Sequence, residues 1–200
     1  MRKVGLFGGT FSPPHVGHRR ALEYFIRQEG LSRVFVMPTF IPPHKVRSDM
    51  TGAEDRFEMC RLAFGDIPEV EVSDLEIRRG GKSFTALTLE ALQKEGERLV
   101  FLCGTDMFLT LERWKNPEII FRLATICYVR RENDPETTLL LAKKEKDYAE
   151  KFGAKIIPII SDITEVSSSE IRFELESGAS QSKYISQKVM EYIRKRGLYR

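Results

Sequence analysis

This sequence has few cysteines and no long apolar run, and each shortage excludes a class of protein. Its three cysteines are odd in number and form no CxxC pair, which argues against a disulfide framework or a zinc site. Each lies in an apolar stretch, so we predict reduced core thiols at Cys60, Cys103 and Cys127. The apolar run after the basic start covers only 4–7, too short for a signal peptide, and no other run approaches membrane-spanning length. We therefore expect a cytoplasmic protein that does not bind a membrane.

The sequence also lacks a concentrated block of positive charge. Its formal net charge is +3, with 30% charged residues, and its Lys and Arg residues are spread along the predicted helices. This distribution does not demand nucleic acid as a partner, and small phosphate-bearing molecules suffice. The chain shows no internal repeat, low-complexity tract or linker. Its length is typical of one domain, so we expect a single domain over residues 1–200.

Short apolar segments rich in β-branched residues alternate with helical patterns along the chain. The predicted strands cover residues 3–7, 33–37, 70–74, 98–103, 125–130 and 155–160. Such alternation is typical of an α/β fold, a doubly wound parallel sheet with helices on both faces.

Capping signals predict where several helices begin and end. Thr51 with Glu54 matches a capping box, and Asn116 before Pro117 places a cap before a proline at the first helical position. Glycines are predicted to end four helices, at Gly30, Gly96, Gly178 and Gly197.

Histidines are scarce, yet all three lie between positions 15 and 44, and two of them flank a glycine after a strand and a glycine turn. Glycines at 8 and 9 allow unusual backbone angles and close approach of a ligand. A helix that begins near His15 presents unpartnered amides and the positive end of its dipole, which favour an anion. His15 and His18 would share one face of its first turn. A Gly-Gly turn or a helix-start histidine alone is more often a plain turn or cap, but their combination favours phosphate binding.

A second anion signature covers residues 166–172. Ser167 and Glu170 match a capping box, which by itself explains the serines. Arg172 follows on the same helical face, so hydroxyls, free amides and a guanidinium could converge on a polyphosphate. The presence of Arg172 therefore favours polyphosphate binding over a capping box alone.

Two further residues lie after the most apolar strand, where ligands bind in open α/β sheets. Asp106 would bind a ligand, either a ribose hydroxyl or a metal, or would merely cap the helix that begins there. The sequence favours neither ligand binding nor capping. Trp114, the only tryptophan, would be a stacking platform or, by default, a core residue. The loop over 38–50 has little regular character and is long enough to suggest a functional role.

Together these motifs resemble those of the HxGH nucleotidyltransferases and, among them, of bacterial nicotinate-nucleotide adenylyltransferases. The likeness runs in order over nearly the whole chain. It rests on the following segments: residues 8–18, Pro42-Pro43-His44-Lys45, Ser83-Phe84-Thr85, Gly104-Thr105-Asp106, Trp114, Arg131, 167–172 and Gly197-Leu198-Tyr199.

The resemblance implies a Rossmann-like nucleotidyltransferase fold and a reaction of ATP with nicotinate mononucleotide. The products would be deamido-NAD and pyrophosphate, with Mg²⁺ bound to the ATP phosphates and no metal site of the protein's own. The implied catalytic residues are His15, His18, Lys45 and Arg172. The implied ATP-binding residues are Gly8, Gly9, Thr10, Phe11, Arg131, Ser167, Ser168, Ser169 and Ile171. The implied nicotinate mononucleotide-binding residues are Thr85, Asp106 and Trp114.

The residue types allow a mechanism without a nucleophilic side chain. The attacking phosphate is already anionic, so the protein must position two phosphates and neutralise their repulsion. We expect His18 to stabilise charge on the transferred phosphate and His15 to orient the phosphates. Two alternatives stay open: a sister transferase with phosphopantetheine or glycerol phosphate as acceptor, and a nucleotide sensor without catalysis.

Overall fold

The computed structural model describes residues 1–43, 51–130, 135–161 and 166–200, and its centre is a six-stranded sheet. The strands are β1 (Arg2–Gly9), β2 (Val34–Pro38), β3 (Val70–Val72), β4 (Glu97–Cys103), β5 (Ala124–Arg130) and β6 (Ile156–Ile160). They lie in the order β3-β2-β1-β4-β5-β6, and every neighbouring pair is parallel. The predicted parallel α/β sheet is confirmed. Its strand order reverses direction between β1 and β4, where open sheets of this kind bind ligands.

Helices cover both faces of the sheet. They are α1 (Val16–Glu29), α2 (Ala53–Phe64), α3 (Leu75–Arg79), α4 (Thr85–Leu92), α5 (Thr105–Leu109), α6 (Pro117–Leu123), α7 (Pro135–Phe152), α8 (Ser168–Glu176) and α9 (Gln187–Arg196), with a 3-10 turn at Leu111–Arg113. None of the helices in the described ranges is both long and apolar enough to cross a membrane.

The two faces of the sheet bury separate hydrophobic cores because side chains alternate along each strand. Phe7 of β1 packs with α1, α2, α8 and α9, whereas its neighbour Leu6 packs with α4 to α7 on the opposite face. Cys60, Cys103 and Cys127 are all buried and free, so their predicted core positions are confirmed.

Some helix boundaries differ from the sequence prediction. The capping box at Thr51 and Glu54 is wrong, because Gly52 is the N-cap of α2. The hydroxyl of Thr51 bonds with Tyr199, and its carbonyl accepts from Arg56, so both groups have partners other than a capping box. Gly96 does not end a helix either. The helix before it ends at Leu92, and Gly96 forms the turn into β4 with a φ of 79°.

The other predicted boundaries agree with the structure or differ by one residue. Gly30 and Gly197 are C-caps in the left-handed conformation, and Pro117 follows the N-cap Asn116 as the first residue of α6. Gly178 lies one residue beyond the C-cap Ser177.

Candidate active site

The glycine turn follows β1 at the reversal point of the sheet. Gly8 and Gly9 are the last residues of this strand and pair with Met37 and Pro38 of β2. A Cβ on Gly8 would meet only one atom, on the ring of Phe101 at 4.0 Å, so the main chain there is open to a ligand. A Cβ on Gly9 would lie 2.8 Å from the ring of Phe11. Gly8 therefore lets a ligand approach the main chain, and Gly9 leaves room for the ring of Phe11. Neither glycine has a positive φ.

The unusual backbone angle belongs to Phe11, which has a φ of 50°. Positive φ is uncommon for a bulky residue and costs conformational energy, so packing must stabilise it here. The ring is only 2% exposed and packs edge-on against Phe7 and against His18, with a centroid distance of 5.0 Å to the imidazole. The buried side chain of Phe11 thus packs against the imidazole of His18. Only the main chain of Phe11 can face a nucleotide.

His15 and His18 lie together at the start of α1, as the spacing predicts. His15 is the N-cap and is 8% exposed, and the centroids of the two imidazoles are 3.7 Å apart. The main-chain N–H of His15 donates to Nδ1 of His18 at 3.3 Å. Because Nδ1 accepts, a neutral His18 carries its proton on Nε2.

His15 is held in its uncharged form. Burial lowers the pKa of His15 to about 4. Its Nδ1 is buried and has no hydrogen-bond partner within the described ranges. A Cβ on Gly17 would lie 3.1 Å from this ring, so glycine between the two histidines leaves room for it. His15 is therefore uncharged near neutral pH.

The serines at the start of α8 have separate tasks. Ser167 is the N-cap, and its hydroxyl accepts from the N–H of Glu170 at 3.1 Å while the Glu170 carboxylate accepts from the N–H of Ser167 at 2.8 Å. The predicted capping box is confirmed. Ser168 instead donates its hydroxyl to the carbonyl of Pro13 at 3.0 Å, which ties α8 to the glycine turn.

Arg172 joins the two predicted anion sites. Its Nη1 donates to the carbonyl of Ser12 at 2.8 Å, and its Nη2 donates to the hydroxyl of Ser169 at 3.1 Å. Segments 160 residues apart in the chain therefore meet at one guanidinium. Ile171 lies beside it but is fully buried in the core, and its N–H donates to the carbonyl of Ser167. No side-chain atom of Ile171 is exposed to a ligand.

The residues predicted for the acceptor lie at the starts of two helices and in the segment after α5. Thr85 is the first residue of α4, and Asp106 is exposed in the first turn of α5. Gly104 occupies the N-cap of α5 and no side chain caps it, so the capping interpretation of Asp106 is wrong. Trp114 is partly buried, with its ring edge-on to Phe101 at a centroid distance of 6.3 Å.

Helix α7 holds the segment that carries Asp106 and Trp114. Glu112 in this segment accepts hydrogen bonds from Lys144 and Tyr148 of α7. Thr105 donates to the carbonyl of Val129 on β5 at 2.6 Å. These contacts fix both ends of the segment.

Two contributors to the site were missed by sequence reasoning. Arg56 of α2 is 1% exposed and donates to three main-chain carbonyls around the glycine turn. The sequence position of Arg56 could have indicated its burial, because Arg56 lies on the same apolar face of α2 as Met59 and Cys60. An arginine in such a stripe must find buried partners.

The other contributor is Tyr199, which the resemblance included without a role. Its hydroxyl lies 3.0 Å from that of Ser12, and burial raises its pKa. The C-terminal segment thus returns to the glycine turn. The carboxylate of Asp55 holds α9, which precedes this segment, against α2. It accepts hydrogen bonds from Tyr192 at 2.8 Å and from Arg196 at 3.0 Å, both on α9.

Lys45 and Arg131 lie outside the described residues. The start of the predicted loop is described, and Phe40 donates its N–H to the hydroxyl of Ser83 at 2.9 Å. Ser83 in turn donates its N–H to the carbonyl of Ile41 at 2.9 Å. The loop is therefore anchored two residues before Thr85.

Comparisons with known proteins place these features in a family context. Residues 6–174 match the cytidylyltransferase-like family. The chain is 35% identical to the "Probable nicotinate-nucleotide adenylyltransferase" of Caldicellulosiruptor saccharolyticus, over 99% of both chains. It is also 35% identical to the protein of the same name from Lachnoclostridium phytofermentans, over 100% of both chains.

Solved structures show the same fold. The nicotinic acid mononucleotide adenylyltransferase of Plasmodium falciparum complexed with NaAD aligns with a TM-score of 0.75 at 18% identity, covering 100% of this chain and 98% of that one. Its complex with APC aligns with a TM-score of 0.74 over the same shares of both chains.

Proposed function

This chain belongs to the nicotinate-nucleotide adenylyltransferases within the cytidylyltransferase-like family, and we propose that it transfers AMP from ATP to nicotinate mononucleotide. The products are deamido-NAD and pyrophosphate, which places the enzyme in NAD biosynthesis. The observation that carries the proposal is the meeting of two anion-binding helix starts through Arg172, at the reversal point of the sheet.

The reaction requires an in-line displacement at the α-phosphorus of ATP. A phosphate oxygen of nicotinate mononucleotide forms the new bond to phosphorus, and the bond to the bridging oxygen of pyrophosphate breaks. No proton transfer from a nucleophilic side chain is needed, because the attacking oxygen is already anionic. The protein therefore acts by positioning and by electrostatic stabilisation.

The proposed ATP side consists of the glycine turn and the two helix starts. His18 donates from Nε2 to the transferred phosphate, and neutral His15 orients the phosphates. Arg172 supplies positive charge. Main-chain groups of residues 8–11 and of 167–169 complete this side, and Lys45 and Arg131 join it by the resemblance alone.

The proposed acceptor side consists of Thr85, Asp106 and Trp114. Free amides at the start of α4 near Thr85 suit the carboxylate of the pyridine ring. The exposed carboxylate of Asp106 suits a ribose hydroxyl. The partly exposed ring of Trp114 suits stacking with the pyridine.

We propose that Mg²⁺ arrives with ATP. Mg²⁺ keeps water and phosphate ligands and needs few protein carboxylates. Within the described ranges, no group of three or more His, Cys, Asp or Glu side chains could hold a metal ion. An ion carried by the triphosphate would neutralise part of its negative charge.

We also propose that residues 1–200 act as one nucleotidyltransferase domain, because Tyr199 bonds with Ser12 and so closes the site from the far end of the chain. Three buried free thiols support a cytoplasmic location.

Pyrophosphate release tests the proposed function. The purified protein is supplied with Mg²⁺, ATP or CTP, and one acceptor: nicotinate mononucleotide, nicotinamide mononucleotide, phosphopantetheine or glycerol phosphate. We expect the fastest release with ATP and nicotinate mononucleotide, and loss of release with EDTA. Faster release with phosphopantetheine or glycerol phosphate would assign a sister transferase, and nucleotide binding without any release would assign a sensor.

A further inference from the structure

The buried guanidinium of Arg56 bonds with the main chain of the proposed ATP-binding turn and of the loop that leads to the proposed acceptor side. Its Nη1 donates to the carbonyl of Thr10 at 2.9 Å, and its Nη2 donates to the carbonyl of Phe40 at 3.1 Å. Its Nε donates to the carbonyl of Thr51 at 3.0 Å. One planar side chain therefore joins three separate segments: the glycine turn, the loop after β2 and the residues before α2.

Arg56 is a costly residue for packing alone. The side chain is 1% exposed, and no carboxylate in the described ranges forms an ion pair with it. Burial lowers the pKa of Arg56, and the carboxylate of Glu76, itself buried and bonded with Thr88 at 2.6 Å, opposes this lowering only in part. An unneutralised buried charge is destabilising, and an apolar side chain of similar volume would fill the space at lower cost. This points to a role for the three-way contact itself.

The three contacts lead to opposite sides of the site. Thr10 belongs to the turn proposed to approach ATP. Phe40 is bonded through its N–H to Ser83, and Ser83 precedes α4, where Thr85 is proposed to bind the acceptor. The path from turn to acceptor helix therefore runs through Arg56.

We propose that Arg56 is a positioning residue that holds the ATP-binding turn and the acceptor-binding loop in register, so that each substrate strengthens the binding of the other. This inference rests on the proposed function. It assigns Arg56 no contact with either substrate. Because coupling between two binding sites is reciprocal, loss of this link weakens both substrates together.

The first test replaces Arg56 by lysine and compares it with a matched control. Lysine keeps the charge but cannot reach three carbonyls with one nitrogen. The control is Arg61→Lys on the same helix, where the arginine is 59% exposed and pairs with Glu58 at 3.1 Å. We expect Arg56→Lys to lower kcat/KM roughly 10- to 100-fold, the effect of a small misplacement, with KM raised for both substrates. Arg61→Lys should match the wild type.

A purely structural role would give a different result. Melting temperature would fall, while both KM values and kcat per folded molecule would stay at wild-type values, and this outcome would overturn the proposal. A rise in the KM for ATP alone would also overturn it, because Arg56 would then support only the turn.

A second variant keeps the inference testable if Arg56→Lys does not fold. Ser83→Ala removes the bond to Phe40 and leaves Arg56 in place. Calorimetry measures the Kd of a non-hydrolysable ATP analogue with and without nicotinate mononucleotide. We expect the acceptor to tighten analogue binding in the wild type and to do so less in Ser83→Ala. Absence of coupling in the wild type, or unchanged coupling in the variant, refutes the inference. Failure of the proposed function is distinguishable, since it appears as absent pyrophosphate release in the wild type.

Discussion

Replacing Arg172 by alanine tests the division of the site into two halves. The change removes hydrogen bonds of 2.8 Å to the carbonyl of Ser12 and 3.1 Å to the hydroxyl of Ser169, together with one positive charge. A hydrogen bond to a charged group contributes about 1.5–3 kcal/mol. Loss of one such bond to the triphosphate raises the KM for ATP roughly 10- to 150-fold, at 1.4 kcal/mol for each factor of ten. The KM for nicotinate mononucleotide should change little, because Thr85, Asp106 and Trp114 keep their supports.

The assay is steady-state pyrophosphate release, with each substrate varied at saturating concentrations of the other. Arg33→Ala is a suitable control, because Arg33 precedes β2 at the opposite edge of the sheet and pairs with Glu71 at 2.6 Å. It should leave both KM values unchanged. Equal increases in both KM values for Arg172→Ala would refute the assignment of this arginine to the ATP side. An unchanged KM for ATP would refute its contact with phosphate.

Three further predictions concern the histidines and the core. His18→Ala should lower kcat roughly 10²-fold, as loss of one preorganised donor does, with little change in melting temperature, and near-normal turnover would exclude this role. Burial lowers the pKa of His15 from 6.5 to about 4, so the unfolded chain takes up a proton that the folded chain excludes as the pH falls. The free energy of unfolding should therefore drop by about 2 kcal/mol between pH 8 and pH 5 in urea titrations, and an equal drop in His15→Gln would contradict this. Gly5→Ala would place a Cβ 2.9 Å from three core side chains, whereas Gly104→Ala would meet nothing within 4 Å. Such overpacking costs about 1–3 kcal/mol, so Gly5→Ala should melt roughly 2–12 °C below the wild type, and a smaller drop than in Gly104→Ala would show that the core adapts.

Much of the fold could be predicted because its signals are local. Each strand appears in the sequence as an apolar segment between helical patterns, and six predicted segments match the six strands within a few residues. Helix ends marked by backbone requirements were also predictable, as at Gly30 and Pro117. The cap at Thr51 was not, because its hydroxyl bonds with Tyr199, which is distant in sequence.

The site was predictable in part for the same reason. Two histidines three apart share a helix face whatever surrounds them, and the structure brings their rings together. The contribution of Phe11 could not be read from the sequence. Its positive φ and its place beneath His18 depend on packing with Phe7 and on the rest of the core.

The sequence by itself determined which segments form strands and helices and which helix starts carry anion-binding residues. These properties depend on side-chain periodicity and on backbone capping, which act over a few residues. Only the tertiary structure decided that Arg172 bonds with Ser12, that Tyr199 returns to the same turn, and that Arg56 joins the turn to the loop after β2. Such contacts depend on how parallel strands place distant chain segments at one edge of a sheet, and no local pattern records that placement.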